Sequence, residues 1–332
     1  MLKSFFAGLA LTVLPVLTLA QAQDAQTINF GIISTESSQN LKTTWEPFIA
    51  DMAKETGLNV KPFFATDYAG VIEAMRFGKV QLAWYGNKSA MEAVDRADAE
   101  IFAQTADAEG NPGYWSVLVT SVDSPLNDLN DVLKCDKTLN FGIGDPNSTS
   151  GYLVPMTYIF AEKNVEPKEC FKTVRNANHE TNAMAAANKQ VDVAANNTEN
   201  MRRLEVTNPE AFKKLKVIWQ SPLIPADPLV WRSDLDQATK DKLYTFIMTY
   251  GRNGTPEEIA HDRQVLKALQ WAPFRPSSNA QLYPIRTLEL TKQLFKVKGD
   301  QTLAEADRQA KVAELEAKIA EVNKQATETP SM

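Results

Sequence analysis

Short apolar runs alternate along the chain with stretches whose apolar residues fall three or four positions apart, the patterns of strand and helix respectively. Thr27 to Ile33 predicts a strand. A helix follows, with Pro47 near its first turn, Phe48 and Met52 on one face and Gly57 as its stop. Leu58 to Phe64 predicts the next strand, and Asp67 caps a helix that buries Val71, Ile72 and Met75 and stops at Gly78. Val80 to Trp84 is a third strand, a short helix carries Met91 and Val94, and Ile101 to Thr105 is strand-like. This repeated strand–helix order predicts an α/β fold, with parallel strands and helices on both faces.

After a turn at Asn111-Pro112-Gly113, Tyr114 to Thr120 is a continuous apolar strand, and a second strand–helix series begins beyond Asp123-Ser124-Pro125. It runs through strands at Thr138 to Ile143, Phe171 to Arg175, Val191 to Ala195 and Lys216 to Trp219, with a helix from Glu180 to Asn188. The Pro-rich stretch Ser221 to Pro228 crosses back to a strand at Leu229-Val230-Trp231, and helices fill the remainder. The expected layout is one lobe from 27–120 and 226–300 and a second from 121–225, with two crossings as a hinge and a ligand cleft between. A C-terminal helix spans 301–325, and the tail 326–332 is expected to be flexible. In that helix Val312, Leu315, Ile319 and Val322 form an apolar seam, either for packing on its own lobe or for a homodimer.

Composition changes the picture at the N-terminus. Lys3, the apolar run Phe5 to Ala20 and the small-x-small site Ala20-Gln21-Ala22 make residues 1–22 a cleavable signal peptide, so the mature chain is expected to be periplasmic. Removing this segment, with its one lysine and no acid, takes the formal charge from -6 to -7, which gives no electrostatic footprint for nucleic acid. Cys135 and Cys170 are the two cysteines, and in an oxidising compartment a disulfide is the default, with two separate buried thiols as the alternative. With two histidines and no metal-ligand spacing, no metal or other cofactor is expected.

The candidate chemistry lies where strands end. The strand Thr138 to Ile143 ends at Gly144-Asp145-Pro146-Asn147, after which the residues Ser148, Thr149, Ser150 and Gly151 open a helix. Hydroxyls among the free N–H groups of a helix start make a socket for a phosphate-like anion, although Asn147 or Ser148 could simply be a cap. Pro155 cannot donate to the carbonyl of Gly151, so a kink is expected there. Other polar residues at strand ends are Ser34, Tyr68, Tyr85, Asn178-His179 and Asn196-Asn197-Thr198-Glu199.

The strings Asn29-Phe-Gly-Ile-Ile-Ser-Thr-Glu-Ser, Asp67-Tyr-Ala-Gly, Ala83-Trp-Tyr-Gly-Asn, Pro112-Gly-Tyr-Trp-Ser, Gly144-Asp-Pro-Asn-Ser-Thr-Ser-Gly, His179-Glu-Thr-Asn-Ala and Asn196-Asn-Thr-Glu-Asn together resemble the phosphonate-binding periplasmic proteins of ABC transporters. The resemblance runs from Ile28 to Arg286 and loosens in the C-terminal helix. It implies a type II periplasmic binding protein fold, with two lobes of mixed sheet, a two-strand hinge and a non-catalytic role. It also implies capture of an alkylphosphonate, typically 2-aminoethylphosphonate, and its delivery to an ABC permease. The positions that match the family's phosphonate contacts are Ser148, Thr149, Ser150, Tyr68, Tyr114 and His179, and those that match its amine contacts are Glu199 and Asp227.

These residue types suit a zwitterion. Hydroxyl, phenol and imidazole donors hold a phosphonate without burying a permanent cation, and two acids pair an ammonium. Beside a dianion, His179 is expected to have a raised pKa. Three readings compete: a phosphite- or phosphate-binding protein, a chemosensory ligand sensor, and an enzyme using Ser148 with His179, for which no third orienting group is evident.

Overall fold

The computed structural model describes residues 26–329, so the signal segment lies outside the described residues. Strands β1 (Thr27–Ile32), β2 (Asn59–Phe64), β3 (Leu82–Trp84), β4 (Ala99–Asp107), β5 (Gly113–Tyr114), β6 (Ser116–Ser121), β7 (Asn140–Ile143), β8 (Thr173–Asn176), β9 (Val193–Asn197), β10 (Leu215–Gln220), β11 (Ile224–Pro225), β12 (Pro228–Arg232) and β13 (Trp271–Pro276) alternate with helices. One sheet has the order β13-β4-β12-β3-β1-β2, the other β10-β6-β9-β7-β8, and β11 with β5 makes a separate two-stranded ladder. Both larger sheets are mixed: β1 is parallel to β2 and β3, whereas β12 is antiparallel to β3 and β4. In the second sheet β7 is parallel to β8 and β9, and β6 is antiparallel to β9 and β10.

The β5–β11 ladder is the crossing between the two halves. A Cβ on Gly113 would stand 1.9 Å from the carbonyl oxygen of Ile224, so only glycine lets the two crossing segments run this close. The crossing comes earlier than the sequence placed it. Residues 116–121 read as the end of the first lobe, yet their backbone pairs with Ala194–Asn197 and Leu215–Gln220 in the second sheet. A continuous apolar run carries no mark of which sheet it joins.

Each half has its own core. In the first, Trp45 packs against Phe30, Trp84 and Trp271 with ring centroids 5.3–5.4 Å apart. In the second, Phe141 packs on Phe171 at 4.7 Å and on Phe160 at 5.6 Å. Cys135 and Cys170 are joined at the edge of this second core, closing a loop with a sequence separation of 35. On loop-closure entropy that link contributes about 3–4 kcal/mol.

Three local expectations need correction. The first helix begins at Ser38, so Pro47 lies inside it rather than near its start; the proline is on the exposed face, away from the core contacts of Trp45 and Phe48. Residues 271–276 form an edge strand on β4 where only helix was expected, because Pro273 and Pro276 mask the strand signal that an edge position tolerates. The C-terminal helix spans Glu305–Glu328, so helix continues past Gln325 into the expected tail. It runs antiparallel along the helix Tyr283–Gly299, with Thr287 donating to Asn323 and Lys298 paired to Glu316. Leu315 is buried in that contact, and Val312, Ile319 and Val322 are half-buried. No helix among the described residues is long and apolar enough to cross a membrane.

Candidate functional site

The turn after β7 is built by close backbone contact. A Cβ on Gly144 would lie 2.6 Å from the backbone of Gly151, and the Gly144 N–H donates to the Gly151 carbonyl at 2.8 Å. That bond satisfies the carbonyl to which Pro155 cannot donate. The helix responds with wide turns at Thr149–Leu153 and Met156–Phe160, in which Leu153 N–H reaches back to the Ser148 carbonyl and Val154 N–H to Thr149. In that register the Ser150 carbonyl faces proline, and Ser116 Oγ donates to it instead at 2.6 Å.

The three hydroxyls of this start are buried and each accepts a hydrogen bond. Ser148 Oγ accepts from Gly151 N at 3.0 Å as the helix cap, so the cap reading holds for that residue. Thr149 Oγ1 accepts from Lys88 N at 2.8 Å, and Ser150 Oγ accepts from Asn197 Nδ2 at 3.0 Å. Each oxygen therefore has a donor on it, and its own hydrogen is left to point elsewhere.

All three line one narrow cavity, nearly closed in this structure, between the halves, together with Tyr68, Tyr114, His179, Glu199 and Asp227. All eight residues singled out in the sequence are thus brought together. Several helix starts surround it: Tyr68 opens helix Tyr68–Arg76, Gly86 precedes Asn87–Arg96, His179 opens His179–Ala187, and Asn197 caps Thr198–Thr207. Their aligned dipoles make one side of the cavity favourable to an anion.

The amide of Asn197 fixes the histidine. Its Oδ1 accepts from Asn200 N at 2.7 Å, so its Nδ2 faces Ser150 and, at 3.2 Å, His179 Nε2. The imidazole then accepts at Nε2 and carries its hydrogen on Nδ1, which has no partner among the described residues. Burial, with the nearby Arg203 charge, pushes His179 down to about 4, so the ring is neutral at neutral pH. A raised value therefore has to come from a bound anion. Ser148 Oγ is 3.4 Å from Nε2, and with that nitrogen engaged by Asn197 the pair lacks the geometry of an activated nucleophile.

The opposite end is acidic. Tyr114 donates to Asp227 Oδ1 at 2.9 Å, which puts that phenol at the acid end in this structure. Burial and the neighbouring Glu199 raise the Asp227 carboxyl well above the usual carboxylate range. Burial raises Glu199 as well, against the pull of Arg203 and Arg202. A methyl on Gly86 would sit 3.3 Å from Thr149 Oγ1 and 3.8 Å from Asp227 Oδ1, so the donor end and the acid end are neighbours across a bare glycine.

Several lining residues were not singled out: Thr35, Trp84, Asn200 and Arg203, the last paired with Glu36. Conversely, Tyr85 turns into the core and donates to the Val71 carbonyl, and Ser34 lines a separate depression with Asp67 and Asn147. Asn196 holds the His179 carbonyl. Away from the cavity, Asp51, His261 and Asp262 converge within 4.8 Å. Internal bonds account for that cluster: Asp51 Oδ2 takes the Tyr250 hydroxyl and His261 Nε2, and Asp262 takes Gly251 N–H.

Residues 30–282 match the family described as the periplasmic substrate-binding protein of phosphonate ABC transporters. The chain belongs to this family. It is 58% identical over 301 residues to the phosphonates-binding periplasmic protein of Escherichia coli, covering 90% of this chain and 87% of that one. It is 30% identical to a phosphate-import protein of Mycolicibacterium smegmatis, over 66% of this chain and 70% of that one. Its fold matches the crystal structure of a binding-protein component of a phosphonate ABC transporter from Pseudomonas aeruginosa, with a TM-score of 0.89 and 56% identity over 92% of this chain and 99% of that one. The fold is the type II periplasmic binding protein fold, and this family consists of transport binding proteins rather than enzymes.

Proposed function

We propose that the cavity captures a zwitterionic alkylphosphonate, 2-aminoethylphosphonate before others, for delivery to an ABC permease. The observation that carries this reading is the orientation of Ser148, Thr149 and Ser150: each hydroxyl oxygen already accepts an N–H, so each hydrogen is available to a ligand oxygen. Tyr68, beside Ser148, and His179 Nδ1–H extend that donor set on the phosphonate. Glu199 and Asp227 take the ammonium. An ammonium on Asp227 also frees the Tyr114 hydroxyl to turn to the phosphonate, which gives that phenol its place among the phosphonate donors. In this reading the mature protein works in the periplasm after its signal segment is removed.

Calorimetric titration against aminoethylphosphonate, methylphosphonate, phosphite, phosphate and an aminocarboxylate tests this. Aminoethylphosphonate is expected to bind tightest. Tighter binding of phosphate or phosphite would overturn the reading in favour of an inorganic oxyanion importer, for which the Mycolicibacterium relative is the precedent.

A further inference from the structure

Three helices of the first half start at the cleft, and each receives an acceptor from the second half. Helix Ser38–Thr56 has Ser37 as its cap and Asn40 at the position where a capping box carries Glu or Gln. The missing acceptor is Glu180, from the far side: Ser37 N–H donates to its Oε2 at 2.8 Å and Asn40 Nδ2 to its Oε1 at 2.6 Å. Helix Tyr68–Arg76 has its first N–H, on Tyr68, on Asp145 Oδ2 at 3.2 Å. Helix Asn87–Arg96 is preceded by Gly86, which has no side chain to cap it, and Thr149 Oγ1 takes the Lys88 N–H. Glu180, Asp145 and Thr149 all come from segments attached to the second sheet.

We propose that the second half closes on the first by completing its helix starts, and that Glu180 is a positioning residue that sets how firmly every ligand is held without touching one. The proposal rests on the cleft being the ligand site. When the halves separate, these N–H groups pass to water, and the charge–dipole contact of Glu180 with helix Ser38–Thr56 is lost. An interaction present only in the closed state multiplies the closed population, and apparent affinity scales with that population whatever the ligand. Glu180 is absent from the cavity wall, so it has no means of discriminating among ligands.

The test is Glu180→Ala, alone and with Asn40→Glu, which supplies the capping acid from within the first half. Glu180→Ala is expected to weaken aminoethylphosphonate and methylphosphonate by the same factor, about fivefold for one net hydrogen-bonding contact. The loss should lie in the dissociation rate, with a wider mean separation of spin labels on the two halves. In the double variant the melting temperature is expected to recover and the affinity to stay low, because the helix is now capped whether the halves are open or closed. Unchanged affinity in Glu180→Ala, a loss confined to one ligand, or affinity restored by Asn40→Glu would each overturn the proposal; the last would make Glu180 a fold-stabilising cap only. Absence of phosphonate binding by the unmodified protein would instead overturn the proposed ligand class.

Discussion

The two ends of the cavity follow opposite electrostatic plans. At the Ser148–Ser150 end, backbone and amide N–H groups from Gly151, Lys88 and Asn197 already occupy the hydroxyl oxygens. The Ser148 and Ser150 oxygens are filled from within the second half, the Thr149 oxygen is filled by Lys88 N–H when the halves are closed, and Arg203 is the nearby full charge. At the other end Glu199 and Asp227 are buried together, and their mutual repulsion is offset by one phenol hydrogen bond and by Arg203 nearby. That end is electrostatically uncomfortable until a cation arrives. On the proposed function the difference would separate affinity from selectivity, the donor end serving every phosphonate and the acid end those with an ammonium.

The largest effect that would break this comparison is at Asp227. Asp227→Asn is expected to cost aminoethylphosphonate about 1.5–3 kcal/mol, or roughly 10- to 100-fold, with little change for methylphosphonate. Glu199→Gln should act in the same direction. Calorimetry giving equal losses for both ligands would erase the distinction between the ends. Next comes Thr149→Val, which removes a donor and leaves the Lys88 N–H without its acceptor. A loss of about tenfold is expected for every phosphonate, and a loss for aminoethylphosphonate alone would reverse the assignment.

Proton linkage sharpens the contrast. The acid pair holds its proton more tightly than ordinary carboxyls do, so an entering ammonium should expel it. Affinity for aminoethylphosphonate should then rise with pH until the pair ionises unaided. Titrations in buffers of different ionisation enthalpy should show more proton release with aminoethylphosphonate than with methylphosphonate; identical release would count against a shared proton. The smallest effect is on stability. Because the Asp227 carboxyl is raised on folding, its contribution is full below the unfolded value near 3.9 and lost as pH rises through the folded value. Asp227→Asn should therefore raise the melting temperature at pH 7 by about 2–4 °C, and the gain should shrink toward pH 4. A constant difference across that range would trace it to packing instead.

Much of this was legible in the order of residues. Helix starts announce themselves through caps such as Asp67 and Ser148, and helix starts surround the candidate site. Facing direction was not legible. Trp84 and Tyr85 are adjacent and both buried, and no local signal says that Trp84 lines the cavity while Tyr85 enters the core. Arg203 was missed because it lies beyond the first turn of its helix, where a charged residue ordinarily faces solvent. The position of Tyr114 against Asp227 depends on β5 and β11 pairing across a sequence separation of more than a hundred residues. The alternative left open for the C-terminal seam is met in part by packing on Tyr283–Gly299.

The wide turn at Thr149–Leu153 also has a genetic meaning. A turn that closes on the fifth residue rather than the fourth holds one residue more than an ordinary helix, and each helical residue rotates the next by roughly 100°. Deleting a single codon within Thr149–Leu153 would turn the hydroxyls by roughly 100° against Ile159 and Phe160, which are packed in the second core. The alignment of the socket with the core therefore depends on the length of this turn as much as on its residues.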